Sequence, residues 1–392
     1  MKTTVYFLTY LVIVLASCKT TVPTISKSYS EEINPEIKVE VPEVYEALQI
    51  ALSLTDTYQA DHNLVNKATP YYKEVIGQFG NHAHHPLVLK LNKKLKKAGA
   101  YSEVNTLIRF QALNYDLANG KLAKKHRYNI PFIYNVAPYP LFLLHNNKRL
   151  LNSFVQQTAF SSFYKQHTTY YDSLLVRSRQ LNDYDGMKQW LGREFPQVQN
   201  ESFLVVFSPL TGGLHNMKEF KSKDGNQKQT ILFVSAPNYD TGPWKELPEL
   251  EKSAYASRIV FTEINHSYVN PATARYLDQI EAAMGNLNAW KNEKVTGGYN
   301  SISLTFNEYM TWAVYTLYAY DTFPEAIFER VTERQVAFMV SKKGFPKFRE
   351  FNTELLRLYR QKKAAQSVAE LYPEIIRWMQ ANKATDQNTV QP

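Results

Sequence analysis

The chain has 392 residues, with 45 lysines and arginines against 36 aspartates and glutamates, a formal net charge of +9 at pH 7, and one cysteine. A single cysteine excludes an internal disulfide framework. Basic residues are dispersed among acidic ones, apart from Lys90 to Lys97, and the 27 tyrosines and 21 phenylalanines serve either a core or the lining of a peptide or glycan cleft.

At the start, Lys2 precedes an apolar run, Val5 to Ala16, too short to cross a membrane comfortably and shaped like a secretory leader. It ends in Leu15-Ala16-Ser17-Cys18, which resembles the lipobox of bacterial lipoproteins. The resemblance implies a signal peptide over 1–17, cleavage before Cys18, and acylation of Cys18. Several acyl chains on one residue give stable anchoring where a single chain gives only marginal binding. The expected location is therefore the bacterial cell envelope, lipid-anchored, with the membrane as partner through Cys18 and no nucleic acid partner. Residues 18–40 are polar and interrupted by proline, and read as a tether.

From 41 to 190 the apolar spacing is mainly helical: Val44, Leu48, Ala51 and Leu52, then Val75 and Ile76, Leu87 to Leu95, and Val104 to Leu113. His82, His84 and His85 read as a surface loop before Pro86. The lysines of 90–97 form the wet face of an amphipathic helix or a patch for an anionic surface. His62, His126, His145 and His167 show no partner pattern. Tyr128 to Leu144 holds Pro131, Pro138 and Pro140 and is too proline-rich for one helix. Strands are expected at Phe203 to Phe207 and Thr230 to Ser235, around a lysine-rich hairpin over 218–228. Gly297-Gly298 reads as a connecting turn. Helices are expected at Pro324 to Val340 and at Phe348 to Met379, bent near Pro373, and the end from Asn382 as a frayed tail. This order suits the α+β class. No Gly-rich phosphate loop and no Gly-x-Ser-x-Gly elbow occurs.

The chemistry concentrates in residues 258–271, Arg-Ile-Val-Phe-Thr-Glu-Ile-Asn-His-Ser-Tyr-Val-Asn-Pro. The pattern is His-Glu-x-x-His with Thr262 in place of the first histidine. In an unaltered motif two histidines four apart point from one helix face at one metal, and the glutamate serves as base. Glu263 and His266 keep that geometry, while a neutral threonine hydroxyl is a poor zinc ligand. Apolar spacing predicts a helix from Pro248 to Val269, stopped by Asn270-Pro271. Downstream, Leu304 to Tyr320 is a nearly all-apolar helix with one acid, Glu308. Either that carboxylate is buried and meets a cation, a donor or a metal, or it is an exposed acid favoured by the helix dipole.

Glu-x-x-His with Ser-Tyr-Val-Asn-Pro and the Phe-Asn-Glu-Tyr helix resembles a Bacteroidota-type lipoprotein family catalogued as a domain of unknown function and similar to gluzincin metallopeptidases. The likeness also takes in Tyr71-Tyr72-Lys-Glu-Val-Ile-x-x-Phe, the His-His-Pro after it, and Val205 to Gly213, so that it spans roughly residues 40 to 340. It implies a zincin-like core over 191–345, with a small mixed sheet, an active-site helix and a glutamate helix, between a helical region over 41–190 and a helical extension over 346–392. It also implies zinc as cofactor, His266 and Glu308 as ligands, Glu263 as general base and a peptide substrate. Typical members carry histidine at the position of Thr262. His215, after the Gly212-Gly213 turn, is either an exposed turn histidine or a replacement ligand reaching in from beside the helix. Expected activity is peptide hydrolysis through a metal-activated water, with Tyr309, Tyr315 or Tyr318 at the oxyanion. The alternatives are a catalytically inactive zincin-like domain that binds peptide or envelope components, and a plain structural role at the membrane.

Overall fold

The structure, a computed structural model, describes residues 24–25, 37–125, 144–198, 202–222, 228–240, 242–292 and 299–388. The leader, Cys18, most of the tether, His126, the proline-rich crossing and Gly297-Gly298 lie outside the described residues.

In chain order, β1 (Thr24–Ile25) and β2 (Ile37–Glu40) precede α1 (Glu43–Ser53), α2 (Asp56–Gln59), α3 (Pro70–Phe79), α4 (Pro86–Ala98) and α5 (Glu103–Ala112). A hairpin, β3 (Tyr115–Ala118) and β4 (Lys121–Lys124), leads to α6 (Lys148–Gln157), α7 (Phe160–Gln166), α8 (Thr168–Leu181) and α9 (Tyr184–Glu194). Strands β5 (Ser202–Ser208), β6 (Asn216–Ser222) and β7 (Lys228–Ser235) follow. The chain then runs through α10 (Glu249–Arg275), α11 (Leu277–Met284), α12 (Ile302–Thr322), α13 (Glu325–Ser341), α14 (Phe348–Gln361) and α15 (Tyr372–Asn388). The class is α+β, helix-rich around a small mixed sheet.

That sheet has the order β1-β6-β7-β5-β2. β5 pairs in parallel with both β2 and β7, while β6 pairs antiparallel with β7. Every residue of β5, Ser-Phe-Leu-Val-Val-Phe-Ser, is buried, as a central strand covered on both faces requires. Tyr45 stacks on Phe233 at 5.4 Å and Phe110 on Phe220 at 4.4 Å, placing α1 and α5 over one face. Asn216 and Lys218 reach Thr106 and Glu103 of α5, so by the period of two Met217 faces the other side, toward α10. α10 packs over β6 and β7 and against α12, and one contiguous core runs from Ile37 to Met379. No described helix is long and apolar enough to cross a membrane.

Several expectations are corrected. α10 does not stop at Asn270: it continues through Pro271 to Arg275. The proline removes one ladder hydrogen bond, and the burial of Ala272 and Thr273 beyond it favours continuation. Pro248 is the N-cap, not part of the first turn. The tether ends earlier than residue 40, because Ile37–Glu40 pairs with β5. Half of the expected lysine-rich hairpin is strand β6. The last helix is two helices, α14 and α15, with Pro373 in the first turn of the second, and α15 takes in part of the expected frayed tail. His85 is no loop residue: it is buried and caps α4, its Nδ1 accepting from the Leu87 N–H at 3.1 Å. His167 pairs with Glu74 at 2.8 Å. The β3–β4 turn, Asn119-Gly120, takes positive φ at both residues, a strong hairpin signal in the sequence.

The turn after β5 fixes where β6 begins. Leu214 donates its N–H to the Asn63 carbonyl at 2.9 Å, and a Cβ on Gly212 would lie 2.4 Å from the His62 carbonyl oxygen. Gly212→Ala is therefore expected to destabilise by about 1–3 kcal/mol through overpacking. Gly77→Ala, on exposed α3 with nothing within 4 Å, should stabilise by up to about 1 kcal/mol. Thermal melts of both variants check this, and equal melting temperatures would refute it.

Candidate functional site

A cleft of about 310 Å³ opens between β6, α10, α12 and the loop after α13, lined among others by His215, Thr262, Glu263, His266, Tyr299, Glu308, Trp312 and Lys343. His215, Thr262, Glu263, His266 and Glu308, singled out from the sequence, thus meet at one place. Each arrives from a different local cause.

Glu263 and His266 lie in the middle of the 27-residue α10, one turn apart on the side turned from the core. Between them, Ile264 and Asn265 are fully buried, and the Asn265 amide donates to the Thr311 carbonyl at 2.9 Å, tying α10 to α12. His266 Nδ1 lies 3.3 Å from Thr311 Oγ1 and 3.4 Å from Asn270 Oδ1, which turns Nε2 toward Glu308 Oε2, 3.8 Å away. Glu308 sits in the second turn of α12, whose start is capped by Ser301 accepting from the Leu304 N–H. Only 6% of its side chain is exposed, so it is the buried carboxylate of the two alternatives. His215 stands at the entry to β6, its Nε2 3.0 Å from Ser235 Oγ.

Glu308 is met by a partner that the sequence reading did not find. Lys343, two residues past α13, places Nζ 3.0 Å from Glu308 Oε1, and Trp312 Nε1–H donates to the same oxygen at 2.9 Å. Lys343 also lies 5.4 Å from the Trp312 ring centroid and 3.4 Å from the Tyr299 hydroxyl. Burial opposes the ammonium charge, but Glu308 and Tyr299 hold it well above the ordinary lysine range. Burial likewise pushes Glu308 up, yet Lys343, His266 and the hydrogen bonds from Lys343 and Trp312 keep it below the usual carboxylate range. Nothing in the sequence marked Lys343, which follows an amphipathic helix as one of two adjacent lysines.

The other groups are neutral near pH 7. Burial, helped by the negative Glu308, pushes the Glu263 carboxyl up to about 8. Burial lowers His266, although Glu308 and Asn270 work the other way. Burial and the positive charges of Lys343, Arg109 and Arg258 take His215 down to about 4. The cleft thus presents a protonated carboxyl, two neutral imidazoles and one ammonium–carboxylate pair.

Zinc needs three or four donors at about 2.0–2.3 Å, and these residues as arranged do not fit it. Thr262 Oγ1 donates back to the Arg258 and Ile259 carbonyls at 2.9 and 3.0 Å, a hydroxyl spent inside its own helix. Glu308 is held by Lys343, and His215 by Ser235. Among the described residues no group of three His, Cys, Asp or Glu side chains is arranged to hold a metal ion. The tyrosines considered for the oxyanion are committed to the core: Tyr309 donates to the Trp290 carbonyl at 2.8 Å, Tyr315 donates to the Ala254 carbonyl, and Tyr318 stacks on Phe261 at 4.5 Å. The tyrosine at the cleft is Tyr299.

The raised Glu263 pKa has a definite effect on stability. In the unfolded chain the carboxyl loses its proton near its ordinary value of 4.5, in the folded chain near 8. Stability is unaffected below the first value, falls by about 1.4 kcal/mol per pH unit between them, and levels off above the second. Glu263→Gln should melt with wild type at pH 4.5 and several degrees above it at pH 9. Differential scanning calorimetry at both pH values checks this, and a constant difference at all pH would count against it.

A family model described as a domain of unknown function (DUF4932) matches residues 141–378, a stretch that contains every residue of the cleft named above. No curated protein and no solved structure matches.

Proposed function

The chain belongs to the DUF4932 family, and we propose that its cleft is a peptide-binding site of zincin-like layout in which a lysine ammonium takes the place of a metal ion. The observation that carries this is the 3.0 Å Lys343–Glu308 pair, set where the resemblance expects metal and carboxylate. A glutamate-bearing helix beside a Glu-x-x-His helix, next to strand β6, supports the layout. On this reading Glu263, protonated at neutral pH, donates to a ligand carbonyl, Lys343 adds positive charge beside it, and β6 lies along the ligand. The domain binds without hydrolysing.

A second reading, a zinc-dependent peptidase, is favoured by one observation: His215, His266 and Glu308 line the same cleft. It requires Lys343 to leave Glu308 and His215 to leave Ser235. We further propose presentation at a bacterial envelope surface through Cys18, which rests on the leader and Leu-Ala-Ser-Cys alone.

The two readings separate in one experiment. The full chain, its Lys343→Met variant and its Glu308→Gln variant are dialysed against zinc, their metal content is measured, and each is incubated with a tryptic digest of casein followed by mass spectrometry. Wild type is expected to hold no stoichiometric zinc and to retain peptides uncleaved. Lys343→Met, with Glu308 freed, should gain zinc affinity by about tenfold or more. Stoichiometric zinc in wild type, with casein peptides cleaved, would replace the binding reading by the peptidase reading.

A further inference from the structure

A second cavity, of about 520 Å³, is lined among others by Ser235, Tyr239, Trp244, Tyr255 and Arg258. Ser235 is the residue that holds His215 of the cleft, and Arg258 lies one helical turn before Thr262 on the same face of α10.

Among the described residues Arg258 has no salt-bridge partner. Its carbon lies 5.5 Å from the Trp312 ring centroid and 5.7 Å from that of Phe338. Such stacking engages the faces of the guanidinium and leaves its in-plane N–H donors available. Nε is buried and has no hydrogen-bond partner, and among the described residues no carboxylate pairs with the group. The contrast with Arg177 is direct: that arginine, on α8, is forked onto Asp240 at 2.6 and 2.7 Å and also reaches Glu249 at 2.7 Å. An unpaired buried donor is costly, and a bidentate carboxylate is the partner whose geometry the fork matches. Arg334 lies over Tyr255 at 5.0 Å and Trp244 at 5.9 Å, adding positive charge behind two of the lining rings.

We propose that Arg258 forms a carboxylate-binding subsite, so that the peptide in the cleft carries an anionic group into the adjoining aromatic cavity. This rests on the peptide-binding reading above and adds the ligand class: a peptide with either a free C-terminal carboxylate or an acidic side chain beside an aromatic or apolar residue. The planar fork selects for carboxylate over neutral amide, and the rings of Tyr239, Trp244 and Tyr255 take the apolar neighbour.

Three probes test it by calorimetric titration into the full chain: acetyl-Ala-Ala-Phe-Ala with a free carboxylate, the same peptide amidated, and amidated acetyl-Ala-Ala-Phe-Glu. One or both carboxylate probes should bind about tenfold or more tighter than the neutral amide, as expected of a charge-assisted bidentate pair. Preference for the first identifies a C-terminal carboxylate, and preference for the third an acidic side chain. In Arg258→Met the ratio should collapse to about one, and Arg258→Lys, which keeps charge but loses the fork, should restore only part of it. Melting curves of both variants confirm folding. Lys343→Met should weaken all three probes alike and keep the ratio. An unchanged ratio in Arg258→Met, or no difference between charged and neutral probes in wild type, overturns the subsite. Indifference of all probes to Lys343→Met, with the Arg258 effect intact, overturns the reading of the cleft and leaves the subsite standing.

Discussion

The cleft depends on one ion pair. A carboxylate with 6% of its side chain exposed, in a mostly apolar stretch of α12, costs several kcal/mol to bury unless a cation meets it. Lys343 is that cation, and it comes from the far end of α13, so burying Glu308 requires the α13–α14 corner to be docked. The Lys343 ammonium lies near the rings of Trp312 and Tyr299, which gives it an aromatic wall as well as a counter-ion. Breaking such a pair by removing one partner costs more than the pair contributes, because the remaining charge is stranded. The pair therefore couples the geometry of the site to the packing of the C-terminal helices, although neither residue belongs to the sheet.

α10 distributes its faces between two tasks. Phe261, Ile264, Tyr268 and Val269 are buried in the core, while Arg258, Thr262, His266 and Asn270, four apart, form a row along the open side. The row explains why Thr262 is harmless where it stands. Its hydroxyl turns back to the Arg258 and Ile259 carbonyls, an intrahelical bond threonine makes readily, and the position is closed by a small side chain rather than left as an unfilled ligand site. Continuation of the helix through Pro271 keeps His266 and Asn270 on rigid backbone, so the imidazole is oriented through Nδ1, which lies beside both Asn270 Oδ1 and Thr311 Oγ1.

The sequence made part of this legible. Glu263 and His266 were readable together because a spacing of three fixes them on one helix face, and Glu308 because a lone acid in an apolar helix demands a partner. The strands β5 and β7 were readable from unbroken runs such as Phe-Leu-Val-Val-Phe. The identity of that partner was not readable: Lys343 is 35 residues away, in a Ser-Lys-Lys-Gly segment that looks like any solvated helix end. Thr262 pointed to a lost ligand, while only the fold shows that an ammonium pairs with Glu308. The extent of α10 was misread because Asn-Pro is a local stop signal and the burial of Ala272 and Thr273 is a tertiary effect. The break between α14 and α15 was missed for a similar reason: the capping box of Ser367 and Glu370 is a start signal lying inside a run whose apolar periodicity continues across it.

Around Trp312 stand two cations, Lys343 at 5.4 Å and Arg258 at 5.5 Å from the ring, and one ionised carboxylate, Glu308. Glu263 adds no negative charge while it stays protonated, and both histidines are neutral, so the groups around Trp312 sum to one positive charge. A low-dielectric wall of tryptophan, tyrosine and phenylalanine strengthens that field. Raising the pH through about 8 ionises Glu263, places a second carboxylate beside Glu308 and cancels the excess. A ligand that is attracted by this excess must be anionic and must be held less well in alkali, whatever the length of its chain. Neutral recognition by β6 and carbonyl donors alone would show no such dependence, so the sign of the pH effect on binding distinguishes an electrostatically filled cleft from one filled by shape.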